Sequence, residues 1–343
     1  MPFQIIRNDI TNIKVDAIVN SANPEPVYAR GTESAVYQKA GAKSLLAERR
    51  KIGRLDVGEA AATRAFRLDA RFIIHTVSPV WQGGNKGEAE DVRRCYRNSL
   101  CLARKHGCKS IAFPLLSTGT CGFPKGEALK IALSEISDFL WKEEMLVYLA
   151  VFDGASFALS GKLFEDIDSY IDENYVADRL AEEYPVMDSP GKIAPQAAVA
   201  AFAIPDKALL GKEKKRGKKA AERSLEDVMA QLGETFQERL FGLIDEKGLT
   251  DVEVYKKANL DRKLFSKIRC HADYRPKKTT AIALAVALEL NLDETKDLLS
   301  RAEMALSPSS KFDLIITYFI QQEVYDIYAI NLALFQHEQP MLG

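Results

Sequence analysis

The feature that most constrains the fold is the stretch at residues 15–37, which begins with five mostly apolar residues followed directly by the polar run Asn-Ser-Ala-Asn. It reads VDAIVNSANPEPVYARGTESAVY, in which a loop with prolines and one glycine separates the run from a segment with helical character. Open α/β sheets bind ligands where a buried strand delivers polar side chains to a loop at its carboxyl end. The sequence therefore predicts an α/β fold with a ligand site at this loop.

A second loop of the same kind follows residues 111–116, which read IAFPLL. The next eight residues are STGTCGFP, and a helix is expected to begin near Gly126. Glycines let backbone N–H groups approach anionic oxygens, and a following helix N-terminus adds positive partial charge. The loop therefore has the pattern of a phosphate-binding turn, although ordinary strand-to-helix turns share it.

Strands and helices alternate over the first half of the chain. Hydrophobic patterning predicts strands at residues 3–7, 17–20, 72–76, 111–116 and 146–152. It predicts helices at residues 34–40, 45–53, 88–106, 125–141 and 156–174. A mixed sheet covered by helices on both faces follows from this order.

These motifs resemble those of the macro domain, an α/β module that binds ADP-ribose. The matching segments are NDIT at residues 8–11, VDAIVNSAN, IIHTVSPVW at residues 73–81, the run from Cys95 to Pro124, and VYLAVFD at residues 147–153. The resemblance covers about the first half of the chain. It implies an ADP-ribose site formed by Asp9, Ile10, Asn20, Asn23, Arg30, Gly31, Ser117, Thr118, Gly119, Thr120, Cys121, Gly122, Phe123, Phe152 and Asp153.

The resemblance also implies a role for each part of that site. Asp9 would accept a hydrogen bond from the adenine amino group, and Phe152 would stack on the adenine with Asp153 beside it. Asn20 and Asn23 would face the distal ribose, while Gly31 and residues 117–123 would hold the diphosphate. Asp9 could instead cap a turn before Thr11, and Phe152 could belong to the core.

Departures from the family bear on catalysis. Family members that hydrolyse ADP-ribosyl bonds usually carry three glycines and then an aspartate, which fall here on Ala29, Arg30, Gly31 and Glu33. In the family, glycines at these positions let the backbone pass close to the diphosphate, so the side chains of Ala29 and Arg30 would obstruct that approach. The Arg30 guanidinium could instead pair with phosphate oxygens. We therefore expect binding rather than turnover. The alternative is a mono-ADP-ribosyl hydrolase that uses Asn23 and Glu33.

Overall composition adds few constraints. The 343 residues suggest two domains, and the net charge of −1 identifies no partner. No apolar run is long enough for a signal peptide or a membrane span, which predicts a cytoplasmic, bacterial-type protein. The five cysteines form no C-x-x-C pair, so we expect reduced thiols and no metal site. We expect no cofactor other than the ligand itself.

The second half divides into three predicted parts after a macro domain at residues 1–175. Residues 176–223 contain prolines and a run, from Lys212 to Arg223, with seven basic and two acidic residues, which predicts a flexible basic linker. Residues 224–306 are predicted to form a helical domain. Residues 307–343 are predicted to form a helical hairpin that packs on that domain or exposes an apolar face for homodimerisation.

The helical pattern at residues 236–304 resembles the DNA-binding domain of phage-repressor-type helix-turn-helix proteins. We predict helices at residues 236–247, 250–258, 261–270, 279–290 and 292–304, with Thr250 and Thr279 as N-caps. The helix at residues 261–270 would enter the major groove and present Arg262, Lys263, Ser266 and Lys267. Residues 224–343 carry a net charge of −5, whereas residues 256–278 carry +7. A protein-binding role is therefore equally open.

Taken together, the sequence predicts an ADP-ribose sensor or adaptor. The macro domain would bind ADP-ribose or an ADP-ribosylated macromolecule, and the helical domain would pass the signal to DNA or to a protein. An altered catalytic loop suits a sensor, because a protein that destroys its ligand erases the signal.

Overall fold

The computed structural model describes residues 2–27, 31–151, 234–271 and 274–343. Its first part alternates strands and helices as the hydrophobic patterning predicts. The strands are β1 (Phe3–Arg7), β2 (Ala17–Ser21), β3 (Ala60–Arg64), β4 (Phe72–Thr76), β5 (Ser110–Pro114) and β6 (Leu146–Val151). The helices are α1 (Thr32–Ala40), α2 (Ala42–Ile52), α3 (Glu88–Lys105) and α4 (Lys125–Lys142), with a short 3-10 turn at Ile10–Asn12.

The six strands form one mixed sheet in the order β1-β6-β5-β2-β4-β3. All neighbouring strands run parallel except β3, which pairs antiparallel with β4 at one edge. The strand side chains alternate between two separate hydrophobic clusters, so that Val19 lies in the cluster with α3 and α4, and Ile18 in the cluster with α1 and α2. This alternation places the sheet between two helical layers, as predicted.

The sequence-based element bounds are correct to within a few residues, with two exceptions. Strand β3 was not predicted. Thr279 is not an N-cap, because the helix there begins at Lys278 and its N-cap residue is Lys277. Thr250 does cap its helix, and it forms a capping box with Glu253. The predicted helix at residues 156–174 and the predicted linker at residues 176–223 lie outside the described residues.

The described residues after position 233 form helices only. These are α5 (Phe236–Glu246), α6 (Asp251–Lys257), α7 (Arg262–Cys270), α8 (Lys278–Ala287), α9 (Leu292–Ser300), α10 (Lys311–Gln321) and α11 (Ile327–Gln336). Every residue from Thr280 to Leu288 in and after α8 is buried, so α8 is the central helix of this bundle. The helix-turn-helix interpretation of α6 and α7 stays a prediction.

The bundle packs directly on the free edge of the sheet. The hydrophobic cluster on the α3–α4 face continues without interruption into the bundle and includes Phe3, Ile5 and Leu240. Phe3 of β1 meets Tyr328 of α11 edge to face, with 5.5 Å between the ring centroids. The two parts of the chain therefore share one apolar core.

Among the described residues, no helix is long and apolar enough to cross a membrane.

Candidate functional site

A cavity of about 560 Å³ opens at the carboxyl ends of β1, β6 and β5. Its described walls are the loops after β1 and β5, the last residues of β6 and the starts of α1 and α4. The lining residues are Asn8, Asp9, Ile10, Gly31, Thr32, Ala35, Pro114, Leu115, Thr118, Gly119, Lys125, Ala150 and Val151. The volume falls in the range of sites that enclose small organic ligands, and the position is the one expected for an open parallel sheet.

The loop at residues 117–123 forms one wall of this cavity and is held in a tight turn by its own backbone. Phe123 N–H donates to Ser117 C=O at 3.0 Å, and Gly122 N–H donates to Gly119 C=O at 3.0 Å. Ser117 and Gly122 both have positive φ angles, of 65° and 68°. Among the described residues, the N–H groups of Gly119 and Thr120 donate no backbone hydrogen bond. Such a turn offers backbone donors to an anion.

Two helix N-termini meet the same cavity. Gly31 precedes α1 with φ of 85° and ψ of −148°, a backbone conformation that is essentially restricted to glycine. Pro124 precedes α4, and neither N-cap residue makes a side-chain hydrogen bond to its helix. Both helix dipoles therefore place positive partial charge at the cavity. The ammonium-bearing residue Lys125 also lines it.

Asp9 combines a structural bond with a place in the cavity wall. Its Oδ1 atom accepts hydrogen bonds from the backbone N–H and the hydroxyl of Thr11, both at 2.9 Å. The capping role that the sequence left open is therefore present. Both bonds use the same carboxylate oxygen, so Oδ2 can accept a hydrogen bond from a ligand.

The loop that carries Asn23 is held from behind by a buried charged cluster. Glu33, 5% exposed, accepts a hydrogen bond from Asn23 N–H through Oε1 at 3.1 Å. Arg49, 1% exposed, donates to the carbonyl oxygens of Asn23 and Pro24 at 3.3 and 3.1 Å. Burial and the negative charge of Glu33 raise the pKa of Tyr37 to about 12. Glu33 thus supports the loop, and it lies beneath Asn23 rather than on the cavity wall.

Asn20 lies inside the sheet and is fully buried. Its Nδ2 is 3.2 Å from His75 Nδ1, and His75 Nε2 is 2.9 Å from the hydroxyl of Thr63. Burial lowers the pKa of His75 to about 3, so the ring is neutral near pH 7, which fits a core role for this histidine. Neither Asn20 nor Asn23 lines the described cavity, so their contact with a distal ribose stays a prediction.

Five of the predicted ligand residues line the cavity: Asp9, Ile10, Gly31, Thr118 and Gly119. Ser117, Thr120, Cys121, Gly122 and Phe123 complete the loop without lining it; Phe123 is buried against Trp81, with 4.7 Å between ring centroids. Arg30, Phe152 and Asp153 lie outside the described residues.

Sequence reasoning missed eight lining residues: Asn8, Thr32, Ala35, Pro114, Leu115, Lys125, Ala150 and Val151. All of them adjoin predicted positions at strand ends or helix starts. Extending each predicted loop by a few residues would have found them.

The residues predicted to read DNA are all exposed on α7. Two of them lie close to other parts of the fold. Arg262 lines a cleft against the macro-like part, together with Glu143 and Glu144. The Lys267 ammonium lies 5.4 Å from the centroid of the Tyr274 ring.

Comparison with known proteins places this fold and site in a family. The family model "Macro domain" matches residues 19–132. A macro domain-containing protein of Chlorobaculum tepidum is 49% identical over 138 residues, which is 40% of this chain and 80% of that protein. An O-acetyl-ADP-ribose deacetylase of Salmonella typhimurium is 39% identical over 165 residues, or 47% of this chain and 92% of that protein.

A solved structure, the Oceanobacillus iheyensis macrodomain with ADP, is 32% identical to the chain with a TM-score of 0.45. It covers 49% of this chain and 92% of its own. The residues that the family model matches lie in the first half of the chain, which also contains the sheet and the cavity. On the basis of this half, the chain belongs to the macro domain family.

Proposed function

We propose that the macro domain binds ADP-ribose, or an ADP-ribose unit carried by a macromolecule, in the cavity at the carboxyl edge of the sheet. The observation that carries this proposal is the meeting of two helix N-termini without side-chain caps and a tight glycine turn at one cavity. Together they supply backbone donors and positive partial charge for a diphosphate. Asp9 supplies an acceptor for the adenine amino group.

A series of ligands tests this assignment. Thermal unfolding is measured with ADP-ribose, ADP and adenosine at equal concentration. We expect the largest rise in melting temperature with ADP-ribose and the smallest with adenosine, because adenosine lacks the diphosphate. Equal rises for all three ligands, or no rise for any, would contradict a site built around a diphosphate.

The second candidate is hydrolysis of an ADP-ribosyl or acetyl-ADP-ribose bond. The similarity to proteins named O-acetyl-ADP-ribose deacetylase supports it. Glu33 argues for binding instead, because its carboxylate is buried and holds the Asn23 backbone. The test is release of ADP-ribose from O-acetyl-ADP-ribose and from an ADP-ribosylated acidic side chain over several hours.

Two variants sharpen that test. If Glu33 activates water, Glu33→Gln loses most of the turnover while keeping the acceptor for Asn23 N–H. The control Glu48→Gln alters a carboxylate on α2 that bonds Arg64 N–H, and it leaves turnover unchanged. No turnover by the wild type on either substrate excludes the enzyme for those substrates.

We further propose that the helical domain couples ligand binding to a partner, either DNA through α7 or a protein surface. The basic character of residues 256–278 supports DNA. A protein partner is supported by the acidic balance of the domain as a whole, by the cleft that Arg262 shares with Glu143 and Glu144, and by the contact of Lys267 with the Tyr274 ring.

A further inference from the structure

The turn between α6 and α7 makes the most specific contact between the two halves of the chain. Asn259 in this turn accepts a hydrogen bond from Phe3 N–H and donates one to Phe3 C=O, both at 3.1 Å. Asn259 is fully buried, although it belongs to a turn and carries a polar amide. The Asn259 side chain therefore bonds the backbone of β1 rather than solvent.

The Asn259 amide takes the place of a neighbouring strand. Among the described residues, strand β1 is at the edge of the sheet and pairs only with β6, so the N–H and C=O groups on its outer side have no strand partner there. An asparagine side chain carries one donor and one acceptor group, which are the two groups that the outer side of Phe3 requires. Asn259 has φ of 52°, a conformation that asparagine tolerates better than most residues.

Other contacts extend the same interface along β1 and α4. The hydroxyl of Tyr255 in α6 donates to Glu144 at 3.3 Å, and Lys256 donates to the carbonyl oxygen of Trp141. At the far end of β1, Arg7 pairs with Glu338 at 3.0 Å. That ion pair is exposed to solvent and therefore contributes little to stability. Burial of Phe3 and the two bonds to Asn259 therefore contribute more to the interface than this ion pair does.

The same docking places the macro domain beside the end of α7 that a DNA-reading helix needs. Helix-turn-helix proteins place the N-terminal residues of the recognition helix against base edges. Here the first residue of α7, Arg262, lines the cleft that also contains Glu143 and Glu144. Arg269, near the end of α7, is paired with Asp251 at 2.6 Å. Lys263, Ser266 and Lys267 remain exposed on α7, but the carboxylates of Glu143 and Glu144 beside its first turn would repel a phosphate backbone placed there.

We propose that the partner of the α6–turn–α7 surface is the open edge of a β-sheet, supplied by the macro domain of the same chain, and that this role replaces DNA reading. The inference rests on the part of the proposed function that gives the helical domain a binding role. It does not depend on ADP-ribose, because every contact that carries it lies outside the cavity.

Hydrogen–deuterium exchange of the intact chain tests the docking. The variant Asn259→Gly keeps the positive φ and removes the amide, so that the turn itself folds. We expect exchange of residues 2–7 and of residues 327–336 to rise about tenfold or more, while residues 72–76 in the sheet interior stay protected. Lys263→Ala, an exposed change on α7, is the matched control and leaves all three segments unchanged. Unchanged exchange in Asn259→Gly would overturn the proposal.

DNA binding by the intact chain is the second measurement. Fluorescence anisotropy with a labelled random-sequence duplex, at low and at physiological salt, is expected to give the same affinity for the wild type and for Lys263→Ala. A several-fold, salt-dependent loss of affinity in Lys263→Ala, with residues 2–7 still protected, would show that α7 reads DNA and would overturn the proposal. Neither experiment uses ADP-ribose, so its result does not depend on whether the macro domain binds that ligand.

Discussion

At the scale of single residues, the side chains in and under the site hold the fold together around the cavity. Asp9 holds Thr11 through one oxygen and keeps the other at the cavity. Glu33 and Arg49 hold the Asn23 loop from below. Substitutions that remove such a side chain therefore damage structure and binding together, so each test needs a change that separates the two.

Asp9→Asn makes that separation. The amide keeps an oxygen for Thr11 and presents NH₂ where the carboxylate oxygen faced the ligand, so it repels the adenine amino group. We expect ADP-ribose affinity to fall about tenfold or more, since a hydrogen bond to a charged group contributes about 1.5–3 kcal/mol. The melting temperature should change little. Calorimetric titration and thermal unfolding measure the two effects, with the exposed Asp56→Asn as control. Unchanged affinity would remove Asp9 from the site.

Buried His75 makes the stability of the macro domain depend on pH. Its pKa is about 3 in the folded protein and about 6.5 when unfolded, so the unfolded state binds the extra proton between these values. Stability is therefore fully present above pH 6.5 and falls as pH drops, by about 1.4 kcal/mol per unit while only the unfolded state is protonated.

The variant His75→Gln removes this contribution. Chemical unfolding at pH 7, 6, 5 and 4.5 is expected to show a shallower loss of stability in His75→Gln than in the wild type. His106→Gln, which changes an exposed histidine, serves as control and should follow the wild type. Parallel curves for the wild type and His75→Gln would mean that His75 is protonated in the folded state.

At the scale of elements, two glycines in the turn after β5 have different roles: Gly122 adopts a backbone conformation that favours glycine, and Gly119 lines the cavity. Gly122 has a positive φ, whereas Gly119 does not, and a Cβ on either residue would meet no protein atom within 4 Å. Gly122→Ala should therefore cost about 1–2 kcal/mol of stability through backbone strain. Gly119→Ala should keep its stability and lose about tenfold in ADP-ribose affinity, because Gly119 lines the cavity.

Thermal unfolding and titration of the two alanine variants check this pair of expectations. The effects should separate, with stability lost in one variant and affinity in the other. A Gly119→Ala protein that binds as tightly as the wild type would mean that the ligand does not approach this turn.

Hydrophobic patterning predicted five of the six strands because each is buried and rich in apolar residues. Strand β3 reads AAATR and is only partly buried, so it has neither the apolar run nor the alternation that marks a strand. Its pairing with β4 is a tertiary effect. The ligand loops were predicted from their glycines and polar residues. The lining residues that were missed are apolar, or lie just after β1 or just inside α1 and α4, where local sequence does not distinguish a cavity wall from core.

At the scale of the whole molecule, the helical domain is built onto the sheet edge. The sequence predicted a domain tethered by a linker, because no local pattern relates Asn259 to a strand 256 residues away. Only the fold brings the two together. The consequence is a single hydrophobic core that runs from the macro domain into the bundle.

Phe3→Ala tests that shared core. Phe3 is 1% exposed and contacts both the sheet and Tyr328, so its truncation should cost about 3–5 kcal/mol. Because the core is shared, we expect the macro domain and the bundle to lose stability together, as seen by hydrogen exchange in both. Val252→Ala, at a half-exposed position, is the control and should have little effect. Loss confined to one half would contradict a shared core.

The central claim is that the macro domain binds an ADP-ribose-type ligand without consuming it, and isothermal titration of ADP-ribose into the full chain tests it most directly. After each titration, the protein is incubated with O-acetyl-ADP-ribose and the products are separated. We predict saturable heat with one site per chain, loss of affinity in Asp9→Asn, and no deacetylated product. Absence of heat at near-millimolar ADP-ribose would contradict the binding site, and rapid product formation would make the protein an enzyme.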